Sequence, residues 1–109
     1  MVQKNQSKIF KMFFIVSTKN GPHGILLVVT DKNILGKKYE QGKLQLDLTK
    51  EFYRGEEKNE QEVKAAFQKA RHIHLTGERS VALGVELDLI DQQRVLWISG
   101  IPRAEIVLE

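Results

Sequence analysis

The chain of 109 residues contains no cysteine. That excludes disulfides, cysteine-ligated zinc and thiol nucleophiles at once. It fits a reducing compartment but is compatible with any location. Long hydrophobic runs are absent as well: the longest, Met12–Val16 and Ile25–Val29, fall far short of the roughly 20 residues needed to span a bilayer. The N-terminus, MVQKNQSKIFKMFFIV, has the outline of a secretory signal. Its apolar part is short and no small-x-small site follows, so residues 1–8 read as a flexible polar tail and residues 9–109 as a single α+β domain. Glycine-rich phosphate motifs are missing. Gly21-Pro22-His23-Gly24 lacks the Gly-Lys-Ser/Thr ending and opens no helix. No serine sits in a Gly-x-Ser-x-Gly elbow, no strand matches an RNP motif, and there is neither internal repeat nor low-complexity segment.

Hydrophobic residues make up 41% of the chain and charged residues 28%, enough for a packed core. The net charge is +3, and its distribution is uneven. Residues 1–50 hold nine lysines against Asp31, Glu40 and Asp47, a balance of +6. Residues 51–109 hold eight Lys plus Arg against eleven acids, a balance of −3, and all five arginines lie there. Such asymmetry is a feature of polyanion-binding chains, though solvated lysines also decorate ordinary surfaces.

Local patterns predict the order β, β, β, α, α, β and a short final strand. Ile9–Thr18 and Ile25–Thr30 are dense in β-branched and aromatic residues and read as a hairpin around the six-residue loop Lys19–Gly24. Asp31 is placed to cap one helical turn, Lys32–Leu35, which Gly36 closes. Lys43–Leu48 alternates, with Leu44, Leu46 and Leu48 facing in and Gln45 and Asp47 facing out. Asn59 and Glu62 have capping-box spacing, and Val63, Ala66, Phe67, Ala70 and Ile73 fit one helical face. Thr76 would cap a second helix, Glu78–Leu89, whose internal Gly84 points to a close approach of another element. Arg94–Ser99 reads as a strand, Gly100-Ile101-Pro102 as a turn, and Glu105–Leu108 as an edge strand. The fold class expected is α+β, a two-layer sandwich with a mixed or antiparallel sheet of four to five strands and two helices on one face.

Catalytic and metal-binding constellations do not assemble in the sequence. His72 and His74 are two apart; closing a helix they would point apart, whereas on a strand they would share a face. Without cysteine, a metal would need distant carboxylates, so no metal, cofactor or catalytic residue is assigned. Gly77-Glu78-Arg79 opens a helix whose N–H groups could hold a phosphate or simply be capped. The segment Asp31–Gly55 is the richest in binding chemistry, with Lys37-Lys38-Tyr39 and Tyr53-Arg54 on either side of the alternating strand. Lysine and arginine neutralise phosphates, and tyrosine either stacks on bases or serves as a core-edge residue with a wet hydroxyl.

Read in order, Asp31-x3-Leu35-Gly36-Lys37, Gly42-x-Leu44, Phe52-Tyr53-x-Gly55, Gly77-x3-Val81 and Gly100-Ile101-Pro102-x-Ala104 resemble an archaeal family catalogued as "domain of unknown function 424". The resemblance runs from about Phe10 to Val107. It implies a small cytoplasmic α+β protein, described in general terms as RNA-binding and linked with translation. Two positions depart from the family pattern: Arg103 stands where many relatives carry His, and His74 where many carry Asn. The first removes a titrating group and leaves a cation at that turn.

The reading that results is a non-catalytic RNA-binding protein associated with translation, with the ribosome or translation factors as partners and no membrane or DNA-specific feature. Lys37, Lys38, Arg54, Arg79 and Arg103 would contact phosphates, and Tyr39 and Tyr53 would stack on bases. The alternatives are an adaptor that pairs a partner with an exposed sheet edge, at Leu44–Leu48 or Glu105–Leu108, and a small enzyme built on Ser80, Arg79 and His74.

Overall fold

A computed structural model describes residues 13–108. The expected polar tail and the start of the first strand, Ile9 to Met12, lie outside the described residues. Strand β1 (Phe14–Gly21) and strand β2 (Gly24–Asp31) form a hairpin. The turn is only Pro22-His23, because Gly21 pairs with Gly24 and Lys19 and Asn20 join the ladder. The six-residue loop expected there is thus mostly strand. Pro22 presets the turn and Gly24, at φ +113°, adopts a conformation that side chains resist.

From β2 the chain makes an excursion before it returns to the sheet. It passes a 3₁₀ turn, Lys32–Ile34, and the hairpin of β3 (Lys38–Gln41) and β4 (Leu44–Asp47). A second 3₁₀ turn, Glu51–Tyr53, then leads into β5 (Glu56–Lys58), which pairs antiparallel with β1. Gly55 lies so close to the Val16 carbonyl that a Cβ there would overlap it. Helix α1 (Glu60–Phe67) begins with the expected capping box: Asn59 Oδ1 accepts from Glu62 N at 2.9 Å, and Asn59 N donates to Glu62 Oε1 at 2.9 Å. Strand β6 (His72–Thr76) then pairs parallel with β2. Helix α2 (Glu78–Glu86), a 3₁₀ turn at Gln92–Arg94, β7 (Leu96–Ile98) and β8 (Ile101–Val107) complete the chain.

The sheet has six strands in the order β5-β1-β2-β6-β8-β7, and β3-β4 forms a separate ribbon. The fold is α+β with a mixed sheet, but four to five strands was too few. Three strands escape the sequence pattern: β3 of the ribbon, and β6 and β5 of the sheet. Ile73 continues the helical spacing of Val63, Phe67 and Ala70, yet 3₁₀ bonds from Gln68, Lys69 and Ala70 end the helix and His72–Thr76 is extended. β5 is a polar Glu-Glu-Lys edge with no hydrophobic alternation. The expected turn Gly100-Ile101-Pro102 shrinks to Ser99-Gly100, and Pro102 enters β8 one residue ahead of its ladder with β6, which starts at Arg103. There the missing N–H breaks no bond to β6.

One sheet face supplies Phe14, Val16, Leu27, Val29, Ile73, Leu75, Ala104 and Ile106 to a buried cluster. Val63 and Phe67 of α1 and Val81 and Leu83 of α2 join it. Gly84 is required there, since a Cβ would come within 2.6 Å of Leu75 Cδ1. A second cluster joins Ile34, Leu46, Leu48 and Ile98, with Tyr39, Tyr53 and Ile101 packed against it, and ties the ribbon to the body.

The helix α2 cap differs from expectation. Its N-cap is Gly77, at φ +111°, which has no side chain to offer. The acceptor comes from the end of β2. Asp31 Oδ2 accepts from Arg79 N at 2.9 Å, and Asp31 Oδ1 accepts from Ser80 N at 2.8 Å and Ser80 Oγ at 2.7 Å. Asp31 makes no side-chain bond to the turn that follows it. A Cβ on Gly77 would overlap the Asp31 carboxylate. Asp31→Ala is therefore expected to destabilise the protein by about 2 kcal/mol or more, and Gly77→Ala by about 1 kcal/mol or more. Urea unfolding measures both; wild-type stability in either variant would refute this account of the cap.

Candidate nucleic-acid interface

Gly36, at φ +88°, lets the chain reverse after the first 3₁₀ turn. Its N–H donates to Leu48 O at 2.9 Å, and Leu48 N donates to Lys37 O at 2.9 Å, which sets Lys37 beside the end of β4. Lys38 faces Asp47 across the ribbon. The Asp47 carboxyl is held below its ordinary pKa, first by the Thr49 hydroxyl and then by Thr49 N–H, with Lys38 and Lys50 adding favourable charge. Those two lysines therefore flank one carboxylate. Arg54 follows the second 3₁₀ turn and lines an open groove of about 510 Å³ with Leu35, Gly36, Leu48, Thr49 and Gly55. Its ion pair with Glu51 is long, at 3.9 Å, and exposed, a geometry of little energetic weight. Among the described residues, Lys37, Lys38 and Lys50 have no carboxylate within ion-pair distance.

Tyr39 and Tyr53 are half-buried against Ile34, Leu46 and Leu48. Burial pushes the Tyr53 hydroxyl pKa up, against the opposing pull of Arg103. Phe52, in the connection between β4 and β5, is a third half-buried ring. Its ring meets Tyr53 edge-on at 5.1 Å and His74 at 5.5 Å, and Lys19 Nζ lies 5.1 Å from its centroid. The Phe52-Tyr53-x-Gly55 motif was the available signal: Gly55 fixes the backbone at Val16 and so delivers Phe52 onto the sheet.

Arg79 and Arg103 stand apart from this group. Arg79 lines a second cleft of about 670 Å³ together with Lys32, Ile34 and Gly77. The N–H groups of Arg79 and Ser80 are already taken by Asp31, so the helix start is capped by a carboxylate in the place a phosphate would occupy. Lys32 itself pairs with Glu57 at 3.0 Å. Ile34 lines this cleft and Leu35 the groove beside Arg54, so one short turn divides the two. Arg103 lies on the sheet face away from the helices, where its Nη2 reaches Glu105 Oε2 at 3.1 Å. Its buried Nε has no protein partner, and neither does Thr30 Oγ1 in the same cross-strand row.

His72 and His74 share that face on β6 rather than closing a helix. Among the described residues no three His, Asp or Glu side chains gather as a metal site. Ser80 is buried against Asp31 on the helix side of the sheet, so Ser80, Arg79 and His74 do not meet. The edge reading also changes: β8 pairs with β6 along Arg103–Val107 and with β7 only through Ile101–Arg103, which leaves Ala104–Val107 open on the β7 side. No helix among the described residues is long and apolar enough to cross a membrane.

Fold and site together define a small α+β protein with a basic groove between a β-ribbon and a 3₁₀ turn. The chain belongs to the family described as protein of unknown function (DUF424), which matches residues 18–108. It is similar in structure to an uncharacterized conserved protein from Methanopyrus kandleri, with a TM-score of 0.72 and 17% identity over 89% of this chain and 94% of that one. Such a likeness establishes the shared fold. No curated protein matches the sequence.

Burial lowers the His74 pKa from its ordinary value of 6.5, Glu105 opposes the shift, and Arg103 and His72 reinforce it. The unfolded chain then binds this proton more tightly than the folded one, so stability is lost as pH falls below about 6.5. His74→Asn is expected to flatten the decline in urea midpoint between about pH 7 and about pH 5. Parallel declines in wild type and variant would show that another group is responsible.

Proposed function

We propose that this is a non-catalytic, cytoplasmic RNA-binding protein of archaeal type that acts with the translation machinery. The observation that carries the reading is the gathering of Lys37, Lys38, Lys50 and Arg54 around the Gly36–Gly55 groove, all with exposed side chains. They flank the β3-β4 ribbon on its two sides, and the glycines at the groove, Gly36 and Gly55, belong to the family motifs. Exposed cations around a concave backbone attract a phosphate chain without reading its sequence. Arg79 adds one cation across the Ile34–Leu35 turn, in a cleft that Glu78 shares and where Lys32 is paired with Glu57. Phe52, with Lys19 over its ring, offers a stacking edge where Tyr39 and Tyr53 are largely committed to packing. Arg103, paired with Glu105 on the far sheet face, contributes less free charge than the ribbon lysines.

A fluorescence-anisotropy titration with single-stranded RNA at several salt concentrations tests this. Affinity should fall with salt, and Lys37→Ala/Lys38→Ala/Arg54→Ala should reduce the logarithmic slope by about 2, at about 0.7 per lost phosphate contact. Undetectable binding of single-stranded and structured RNA at low salt would end the proposal.

A further inference from the structure

The helix side of the sheet is unevenly covered. α1 packs on β1 and β2, and α2 packs on β2, β6 and β8. β7, the edge strand, extends beyond them, and its Trp97 is 53% exposed on that side. Strands lie ~4.8 Å apart and a helix is ~10 Å across. The uncovered strip is one strand wide, so a helix seated beside α2 would cover β7 and overhang the sheet edge. The strip forms a groove of about 480 Å³ whose apolar walls are Val81, Ala82 and Val85 from α2, and Val95, Trp97 and Pro102.

Both charged residues on the groove wall are acids. Glu78 and Glu86 bracket Ala82 and Val85 along one stripe of α2, and no lysine or arginine is among the lining residues. Glu86 does meet Lys64 of α1 at 3.5 Å, a long and exposed pair of little energetic weight that a docking cation would share or displace. We propose that this groove docks a basic amphipathic helix of a partner protein. An apolar stripe would cover Trp97 and Val85, and two cations about two turns apart, ~12 Å along the axis, would meet Glu78 and Glu86. An exposed tryptophan among aliphatic residues is a common energetic centre of such contacts. A second copy of this chain is a poor occupant. Two grooves packed symmetrically would set Glu78 of one copy against Glu86 of the other, like charges in a desolvated contact.

Trp97 is the sole tryptophan of the chain, so its emission reports the groove directly. The probe is a synthetic Ala/Leu-rich helical peptide with arginines about eight positions apart beside its apolar stripe. It should shift the Trp97 emission to the blue with saturation, while its glutamate counterpart should not. Glu78→Lys/Glu86→Lys should weaken the arginine peptide at least about tenfold and gain affinity for the glutamate peptide. Both positions are exposed, so folding of the variant is checked by its unchanged far-UV spectrum. The proposal is overturned by an unmoved emission at millimolar peptide, or by equal affinity for the two peptides. A shift produced by RNA alone, or by raising the concentration of the protein alone, overturns it equally.

Discussion

A single buried carboxylate organises this molecule. Asp31 ends β2, is 5% exposed, and would be costly to bury without partners. It finds three donors at the start of α2, where the helix dipole also favours negative charge. β2 and β6 are parallel neighbours with Thr30 opposite Thr76, so the next residue on each, Asp31 and Gly77, meets the other at the same end of the sheet. Glycine at position 77 is the counterpart of this contact, because any side chain would enter the carboxylate's space. Two family motifs distant in sequence, the one starting at Asp31 and the one starting at Gly77, thereby reduce to one hydrogen-bonded unit.

Between β2 and β5 the chain makes its excursion from the sheet, and most of the candidate binding chemistry lies on it. The β3-β4 ribbon has too little area to be stable alone. It is held by Ile34, Leu46, Leu48 and Ile98, by the Gly36–Leu48 backbone bond, and by Ser99 N donating to Gln41 Oε1 at 2.6 Å. Those anchors use the inward face and leave the lysines outward. The apolar residues of the ribbon thus decide where its cations stand, and the tyrosines once read as binding groups turn out to pack among those anchors.

The sequence was most legible where one local rule sufficed. Asn59 and Glu62 form the capping box their spacing predicts, Gly36 takes the left-handed conformation, and Gly84 marks a close approach between α2 and Leu75. Leu46 and Leu48 point inward as their alternation requires, although Leu44, at the ribbon tip, stays 43% exposed. Legibility failed where a residue serves a distant element. Asp31 looked like the cap of its own neighbour because nothing local announces a helix forty-odd positions away. Ile73 fitted the helical stripe and equally fits a strand, and only its pairing with Leu27 and Ile106 decides between them. Phe52 lay in an unpatterned connection, and its place over His74 follows from the contact of Gly55 with Val16.

The uneven charge of the chain acquires a spatial meaning in the fold. Lys37, Lys38, Lys43 and Lys50 of the first half stand on or beside the ribbon, whereas the α2 groove presents Glu78 and Glu86. A polyanion drawn to the ribbon is repelled from the groove, and a basic helix drawn to the groove is repelled from the ribbon. The two surfaces therefore sort their occupants by charge before any close contact forms. On the proposed readings, a molecule of mild net charge would keep an RNA and a basic protein segment on separate surfaces, a division that the net value of +3 does not convey. Salt weakens both attractions, but it affects them unequally: the groove buries apolar area around Trp97 that screening does not touch, while the ribbon relies on exposed cations.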